Sequence, residues 1–305
     1  MSKEARKTVF FVLVLISTFI VVDLLFGKIA LKMLLNMPAA PNELGRRNYV
    51  VSASDDDCLI LGSSRAAHHY NSLILQDSLN VSVYNAGLDG HGISYANGIL
   101  KARVQRSKPS LVILECSSIE LQREWLNSVS SLKPYYELYP KVLEVAQTVN
   151  GEKEKLKSKF AFYRFNSSLF PMIKTYLSME KDHNKGFVPL SNEDSKIILD
   201  DIHKESSITQ IDSVCNNVLV DFISTCKNEN IQLVVCYSPI LGDVKSEAMI
   251  LSKLFEDQDI LFFDYSGDTT FINHPQQLFR DNTHLNKRGA DTYSQLIAHK
   301  IKALL

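Results

Sequence analysis

Short apolar runs alternate with amphipathic segments along most of the chain. The strand candidates are rich in Val, Ile, Leu and aromatic residues and show no polar alternation; they are CLIL (58–61), VSVY (81–84), LVILEC (111–116), IQLVVCY (231–237) and ILFFDY (260–265). Such continuous runs are typical of strands buried on both faces of a sheet. Between and after these runs, apolar residues at helical spacing predict helices over residues 65–79, 92–106, 212–229, 244–257 and 285–305.

This alternation predicts an α/β fold with a doubly wound, mainly parallel five-stranded sheet of the flavodoxin-like, three-layer kind. In such sheets the functional site is expected at the carboxyl ends of the strands. Residues 122–205 break the alternation after the third strand and are dense in aromatic residues, as in KPYYELYP (133–140). This helical insertion either packs a small core of its own or forms a lid over the strand ends.

The N-terminus is the most apolar part of the chain. The stretch TVFFVLVLISTFIVVDLLF (8–26) has a single charge, Asp23, and is close to the roughly 20 residues that a helix needs to cross a bilayer. Lys3, Arg6 and Lys7 precede it, which favours a cytoplasmic N-terminus. The alternative is a cleaved signal peptide, but the stretch is long for one and no clear A-x-A site follows it. Asp23 is expected at the membrane interface, without a function.

Three regions follow from these patterns. Residues 1–35 are interpreted as an uncleaved, single-pass anchor in a bacterial inner membrane. Residues 36–57 carry proline, glycine and an acidic run and are interpreted as a linker. Residues 58–305 form the main domain, which the charge pattern at the N-terminus places on the periplasmic side.

The composition of the chain excludes several classes of partner and cofactor. The chain of 305 residues is 45% hydrophobic and 22% charged, with a net charge of −1. This composition is that of a globular protein and lacks the basic excess of a nucleic-acid-binding one. Its five cysteines show neither zinc-type spacing nor a disulfide framework. We therefore expect no nucleic-acid partner, no metal and no cofactor.

Small and polar residues follow three of the predicted strands. GSS (62–64) follows the first strand, NAG (85–87) the second, and Asp281 and His284 lie between the fifth strand and the last helix. A serine hydroxyl becomes a nucleophile when an imidazole accepts its proton, and a carboxylate orients that imidazole. Backbone amides beside glycine can stabilise the oxyanion that forms. The three blocks therefore predict nucleophilic acyl chemistry.

The same blocks resemble those of the SGNH/GDSL hydrolase superfamily, and the resemblance covers the main domain apart from most of the insertion. It implies that Ser64 is the nucleophile, His284 the base and Asp281 the orienting acid. It also implies that the backbone amides of Ser64 and Gly87 form the oxyanion hole. Ser63 occupies the position of the family's aspartate and is the reserve candidate for the nucleophile.

The third block departs from the family. Where G-x-N-D is expected after the third strand, the chain has ECSSIEL (115–121), which contains no asparagine to bind the oxyanion. Ser117 or Ser118 could substitute through a hydroxyl or an amide, and a plain turn or helix cap is the competing interpretation. Asn85 and His91, beside the second block, are further candidates for the site.

A membrane-anchored domain with a degenerate third block is most similar to envelope proteins of polysaccharide O-acylation, such as those of alginate acetylation and teichoic-acid D-alanylation. The resemblance implies a serine esterase or O-acyltransferase that acts on acyl esters, with acetyl favoured, of an envelope or extracellular polysaccharide. A membrane-bound O-acyltransferase is then a candidate partner. The alternative is a glycan-binding or assembly protein with little or no activity, which the missing asparagine favours.

Overall fold

Five parallel strands form a single sheet in the computed structural model, which describes residues 2–178, 180–191, 196–198 and 210–304. The strands are β1 (Cys58–Leu61), β2 (Val83–Asn85), β3 (Leu111–Glu115), β4 (Gln232–Tyr237) and β5 (Leu261–Asp264). They lie in the order β2-β1-β3-β4-β5 and are all parallel. This is the flavodoxin-like order of doubly wound sheets. The predicted α/β fold is confirmed.

Helices cover both faces of this sheet. In chain order they are α1 (Lys3–Leu35), α2 (Glu43–Ser52), α3 (Ser64–His69), α4 (Ser72–Leu79), α5 (Ile93–Arg106), α6 (Pro140–Asn150), α7 (Lys153–Lys157), α8 (Ala161–Phe165), α9 (Leu169–Ser178), α10 (Ser213–Asn228), α11 (Lys245–Glu256), α12 (Thr269–Ile272), α13 (Pro275–Leu278) and α14 (Lys287–Lys302). The helix predicted over 65–79 is two helices, because Tyr70 is extended between them.

Alternate residues of each central strand feed two separate cores. In β1, Leu59 and Leu61 belong to the core that contains residues of α5 and α10, whereas Cys58 and Ile60 belong to the core under α4 and α14. Burial on both faces explains why these strands show no polar alternation. The fifth strand departs from this expectation, because β5 is an edge strand and Leu261 is 39% exposed.

The segment predicted to be a linker is part of the folded domain. Within residues 36–57, helix α2 buries Val50 and Val51 in the main core. Arg46 is also buried, and its Nη1 donates to the carbonyl of Gly87 at 3.0 Å. The linker prediction was wrong because buried arginine and asparagine side chains, bonded to distant backbone groups, make the helix look polar in the sequence.

The described residues of the insertion pack on the main core instead of building one of their own. The insertion consists of a 3₁₀ segment, Arg123–Tyr135, followed by α6 to α9, with the rest of residues 122–205 only partly described. Residues 179, 192–195 and 199–205 of the insertion lie outside the described residues. Leu132, Val142 and Phe165 join the same core as the sheet.

Helix α1 has two unlike halves. It is long and apolar enough to cross a membrane or to be a signal sequence, with 33 residues and a high mean hydropathy. Its first half is exposed, but Gly27, Ala30 and Leu34 are buried against the domain. Asp23 is buried as well, and its carboxylate accepts the amides of Ala161 and Phe162, each at 2.8 Å. Asp23 therefore caps α8, a role that the sequence did not indicate.

Candidate active site

A glycine turn places two serines at the carboxyl end of β1. Gly62 has φ +141°, and a Cβ there would lie 2.6 Å from the carbonyl oxygen of Glu115. Only glycine fits such a backbone position. Ser63 is the N-cap of α3, and Ser64 is its first residue. The turn therefore presents both serines at the edge of the sheet where a site is expected.

The structure brings Ser64, His284 and Asp281 together. Ser64 Oγ lies 2.8 Å from His284 Nε2, and His284 Nδ1 lies 3.0 Å from each carboxylate oxygen of Asp281. Because Nδ1 faces a carboxylate, it carries the ring proton, and Nε2 is left to accept the proton of the Ser64 hydroxyl. The contact with His284 is made by Ser64 and not by Ser63, although both serines line the same cleft.

A tight turn holds Asp281 in place. Its Oδ1 accepts the amides of Thr283 and His284 at 2.8 and 2.9 Å and the Thr283 hydroxyl at 2.9 Å. Burial by itself raises the pKa of this carboxyl, but the hydrogen bonds and charge of His284 and the donors of Thr283 outweigh it and hold the pKa well below its usual value. Asp281 is therefore a carboxylate wherever His284 could act as a base.

The two predicted oxyanion donors, the amides of Ser64 and Gly87, differ in their hydrogen bonding. Ser64 is the first residue of α3. The first amides of a helix have no acceptor within the helix, so the Ser64 amide is free to bind an oxyanion. The amide of Gly87, by contrast, donates to Asn85 Oδ1 at 2.9 Å. A Cβ on Gly87 would lie 2.5 Å from the Ala67 nitrogen, so this glycine allows β2 and α3 to approach closely. The structure contradicts the donor role of Gly87.

Asn85 and His91 also lie apart from the cleft. The Asn85 side-chain amide donates to the carbonyls of Ala66 and Tyr70 at 2.7 and 2.9 Å, which ties α3 to β2. The His91 ring packs on Tyr95 at 4.6 Å between centroids and bonds the Asp89 carbonyl. Both residues support the turn after β2 structurally, and neither lines the cleft that contains Ser64.

The two serines of the third block, Ser117 and Ser118, are hydrogen-bonded to carboxylates. The Ser117 amide donates to Glu120 Oε2 at 2.8 Å, and its hydroxyl donates to the same oxygen. The Ser118 amide donates to Glu247 Oε1 at 2.7 Å. Ser117 lines the cleft, but its donors are engaged there, and the amide of Ser118 is engaged too. The Ser118 hydroxyl makes no hydrogen bond to any described residue, but Ser118 does not line the cleft. The structure therefore contradicts Ser117 as an oxyanion donor and places Ser118 outside the cleft.

A buried charge cluster under the cleft was missed at the level of sequence. The Arg65 guanidinium lies 3.3 Å from Glu115 and 3.6 Å from Glu120, with its Cζ 4.8 Å from the centre of the Tyr237 ring. Burial raises the pKa of Glu115, although Arg65 opposes the shift. The signal in the sequence was Glu115 itself, a charge at the end of an otherwise apolar strand. The cluster fixes Arg65, the neighbour of Ser64, at the floor of the cleft.

His69 connects this cluster to the loop that carries His284. The amide of Leu285, the residue after His284, donates to His69 Nε2 at 2.9 Å. His69 Nδ1 therefore carries the proton and donates to Ser238 Oγ at 2.7 Å, which in turn donates to Glu115 at 2.8 Å. Burial, together with His284 and Arg65 nearby, holds the pKa of His69 well below its usual value.

Replacing His69 should impair the alignment of Ser64 with His284. His69→Phe removes the acceptor of the Leu285 amide, so the His284 loop loses a fixed point on the helix that carries Ser64. We expect covalent labelling by a fluorophosphonate to slow on the order of 10–100-fold, because small displacements of reacting groups cost this much. Labelling at the wild-type rate would contradict the role. His91→Ala is the control, and thermal unfolding reports whether each variant is folded.

The insertion supplies one wall of the cleft. The cleft has a volume of about 700 Å³ and includes Ser64, His284, Trp125, Lys196 and Ile198 in its lining. The Ile198 amide donates to Asn282 Oδ1 at 2.9 Å, and Asn282 Nδ2 returns a bond to the Ile198 carbonyl at 2.8 Å. Ile198 is thus tied to the Asp281 loop. Among the described residues, Trp125, Lys196 and Ile198 are those that the insertion contributes to the cleft.

No protein-family model matches the chain, and no curated protein sequence matches it. Solved structures are similar at low identity. A protein from Desulfitobacterium hafniense DCB-2, described as a lipolytic protein of the G-D-S-L family, is 10% identical with a TM-score of 0.40, over 80% of this chain and 98% of that one. The psychrotrophic esterase EstA from Pseudoalteromonas sp., inhibited by monoethylphosphonate, is 12% identical with a TM-score of 0.38, over 81% and 97%.

A third similar structure is BT4096, a gut microbial diltiazem-metabolizing enzyme. It is 13% identical with a TM-score of 0.27, over 82% of this chain and 47% of that one. The first two descriptions name the class of enzyme that the sequence blocks resemble. At these identities and TM-scores the likeness does not assign an activity, and the argument for one depends on the geometry of the cleft.

Proposed function

We propose that the chain is an SGNH-type serine hydrolase or acyltransferase that cleaves an ester through an acyl-enzyme on Ser64. The observation that carries this proposal is the continuous hydrogen-bonded chain from Ser64 through His284 to Asp281, opening into a cleft at the carboxyl edge of the sheet. This arrangement is what activates a serine hydroxyl as a nucleophile.

The reaction follows from the directions of these bonds. Ser64 Oγ attacks the acyl carbon of the ester while His284 Nε2 takes its proton, and Asp281 stabilises the imidazolium. His284 then protonates the leaving alcohol oxygen as the ester bond breaks, which leaves the acyl group on Ser64. In the second half, water or a sugar hydroxyl gives its proton to His284 and bonds to the acyl carbon. His284 then returns the proton to Ser64 Oγ as the bond between Ser64 and the acyl group breaks.

Oxyanion stabilisation in this site rests on few donors. The Ser64 amide is the donor that the described geometry leaves available, while those of Gly87, Ser117 and Ser118 are bound elsewhere. Each missing donor lowers the rate by on the order of 10²–10³. We therefore propose a slow turnover.

The proposed substrate is an acyl ester, with acetyl favoured, of an envelope or extracellular polysaccharide. Trp125 and Tyr237 give the cleft aromatic surface, and Ile119, Ile240 and Val244 give it apolar surface. The cleft also carries polar and charged side chains, among them Lys196, Asn282 and Glu247. A lining that combines apolar surface with polar groups suits an acyl group on a polar carrier. A membrane-bound O-acyltransferase is the proposed partner, since it would bring acyl groups to the same membrane.

The proposed location is the periplasmic face of a bacterial inner membrane, with α1 retained as the anchor. Support for retention comes from the second half of α1, where Asp23, Gly27 and Leu34 are buried against the domain. Cleavage after the apolar stretch would remove Asp23 and leave two amides at the start of α8 without their acceptor.

The alternative function is that of an inactive glycan-binding or assembly protein. The observation that favours it is the engagement of the third-block donors by Glu120 and Glu247. The two functions are separated by incubating the full-length chain with an aryl acetate and with an acetylated polysaccharide. We expect release of acetate from at least one of them. Binding of the polysaccharide with no release of acetate from either compound would favour the alternative.

A further inference from the structure

The outward face of α9 is apolar. Phe170, Ile173 and Leu177 are 77%, 49% and 76% exposed, and their spacing of three and four places them on one side of the helix. The opposite side is fixed in the protein, because Met172 and Thr175 are buried. A surface helix normally shows the reverse pattern, and a contiguous exposed apolar surface marks a site of contact with a partner or a membrane.

Helix α8 and the preceding Phe160 carry a second exposed apolar surface, which lies against α1. The rings of Phe26 and Phe162 stack at 4.5 Å between centroids, and Phe19 lies 6.3 Å from Phe160 and 6.0 Å from Phe162. Phe160 and Phe162 remain 41% and 38% exposed. Helix α8 therefore lies beside the part of α1, residues 19–26, that we place in the membrane.

Specific contacts hold α8 and α9 along α1. Asp23 caps the first two amides of α8, and at Gly27 a Cβ would come within 2.7 Å of Ala161 Cβ. Further along α1, the Tyr176 hydroxyl of α9 donates to the carbonyl of Met33 at 2.6 Å. From residue 19 to residue 33 α1 rises about 21 Å, since each residue adds about 1.5 Å. The apolar surface thus begins at the level of the membrane span and continues towards the domain.

We propose that α8 and the outward face of α9 are embedded in the lipid bilayer, as a second part of the anchor. The proposal rests on the insertion of α1 into the membrane. Helices of this kind bury an apolar face about 5–10 Å into the boundary between headgroups and acyl chains. Exposed Lys28, Lys159 and Lys174 lie among the apolar residues, where long side chains reach the headgroup phosphates.

Lipid fits this surface because the surface is continuous with α1, whose neighbouring side chains Leu24 and Leu25 are 57% and 56% exposed. A membrane location of α8 also explains why Asp23 lies in the apolar part of α1. A carboxylate within an apolar span is costly unless it is paired, and here the Asp23 carboxylate accepts two amides of α8. Since Phe165 and Met172 belong to the main core, the same helices hold the domain against the membrane.

Tryptophan quenching by brominated lipids tests this proposal on the full-length chain. The parent variant is Trp125→Phe, which removes the single native tryptophan. Three reporters are added to it separately: Phe170→Trp on α9, Phe11→Trp on α1 and Met249→Trp on α11. Met249 is the matched control, because it is 73% exposed against 77% for Phe170. Each variant is reconstituted into phosphatidylcholine–phosphatidylglycerol vesicles with and without bromine on the acyl chains, and thermal unfolding confirms folding.

We expect bromine to lower the emission of Phe170→Trp and Phe11→Trp by roughly twofold or more, since both would lie within the acyl region. The emission of Met249→Trp should not change. Quenching of Phe11→Trp without quenching of Phe170→Trp would overturn the proposal while leaving α1 as an anchor. Absence of quenching in Phe11→Trp would overturn the membrane insertion itself, and this proposal with it, without touching the proposed chemistry of Ser64.

Discussion

Ser64→Ala is expected to abolish covalent labelling of the full-length chain by a fluorophosphonate, whereas Ser63→Ala is expected to retain it. The reason is the 2.8 Å contact between Ser64 Oγ and His284 Nε2. A serine reacts with such probes when a base takes its proton. Ser63 lines the same cleft, but its neighbour holds the bond to the imidazole.

The loss of ester hydrolysis should match the loss of labelling. Removing the nucleophile of a serine triad lowers kcat by on the order of 10⁶, so Ser64→Ala should fall to background. Ser63→Ala should keep a rate within about tenfold of the wild type, because the Ser63 side chain makes no capping hydrogen bond to α3 that the change would remove. Labelling that survives in Ser64→Ala and is lost in Ser63→Ala would reassign the nucleophile. Labelling that survives in both single variants and in the double variant would contradict the proposal that either serine is the nucleophile.

Asp281→Asn should also lower the rate of ester hydrolysis strongly, although by less than Ser64→Ala, and it removes no atom that reacts with the substrate. Oδ1 of Asp281 accepts two backbone amides and the Thr283 hydroxyl. In the variant, the amide oxygen of the asparagine would take that position, and its NH₂ group would then face His284 Nδ1. An NH₂ group cannot accept the proton of Nδ1, and the oxygen in the Oδ1 position, also 3.0 Å from Nδ1, already accepts three other hydrogen bonds. The tautomer with its proton on Nε2 would therefore be favoured, and it cannot act as a base for Ser64.

We expect Asp281→Asn to lower kcat for an aryl ester by on the order of 10³–10⁴, as loss of the correct tautomer does in serine triads. The matched control is Asp77→Asn, the same change at an exposed carboxylate on α4. Thermal unfolding separates loss of the turn from loss of the tautomer. A rate within about tenfold of the wild type would mean that Asp281 does not orient His284.

Several elements could be predicted because their signals are local. The five apolar runs became β1 to β5 with bounds within two residues of those expected. The blocks at Ser64 and at Asp281 and His284 met because parallel strands end at one edge of the sheet. The apolar stretch of α1 was readable from its length and composition alone.

Other expectations failed because the groups concerned already have hydrogen-bond partners in the structure, some close in the sequence and some distant. The donors of Gly87, Ser117 and Ser118 looked available in the sequence, and the structure commits them to Asn85, Glu120 and Glu247. The linker looked solvated, although Arg46 is buried against the carbonyl of Gly87.

The sequence by itself determined the order of strands and helices, the apolar N-terminus and the residue types that meet at the edge of the sheet. Only the tertiary structure decided that Ser64, rather than Ser63, contacts His284, a residue 220 positions away. It also decided that Asp23 caps α8, across 138 positions. Periodicity follows from each residue's own neighbours along the chain, whereas a hydrogen bond between distant segments depends on how all the packed elements fix its two ends.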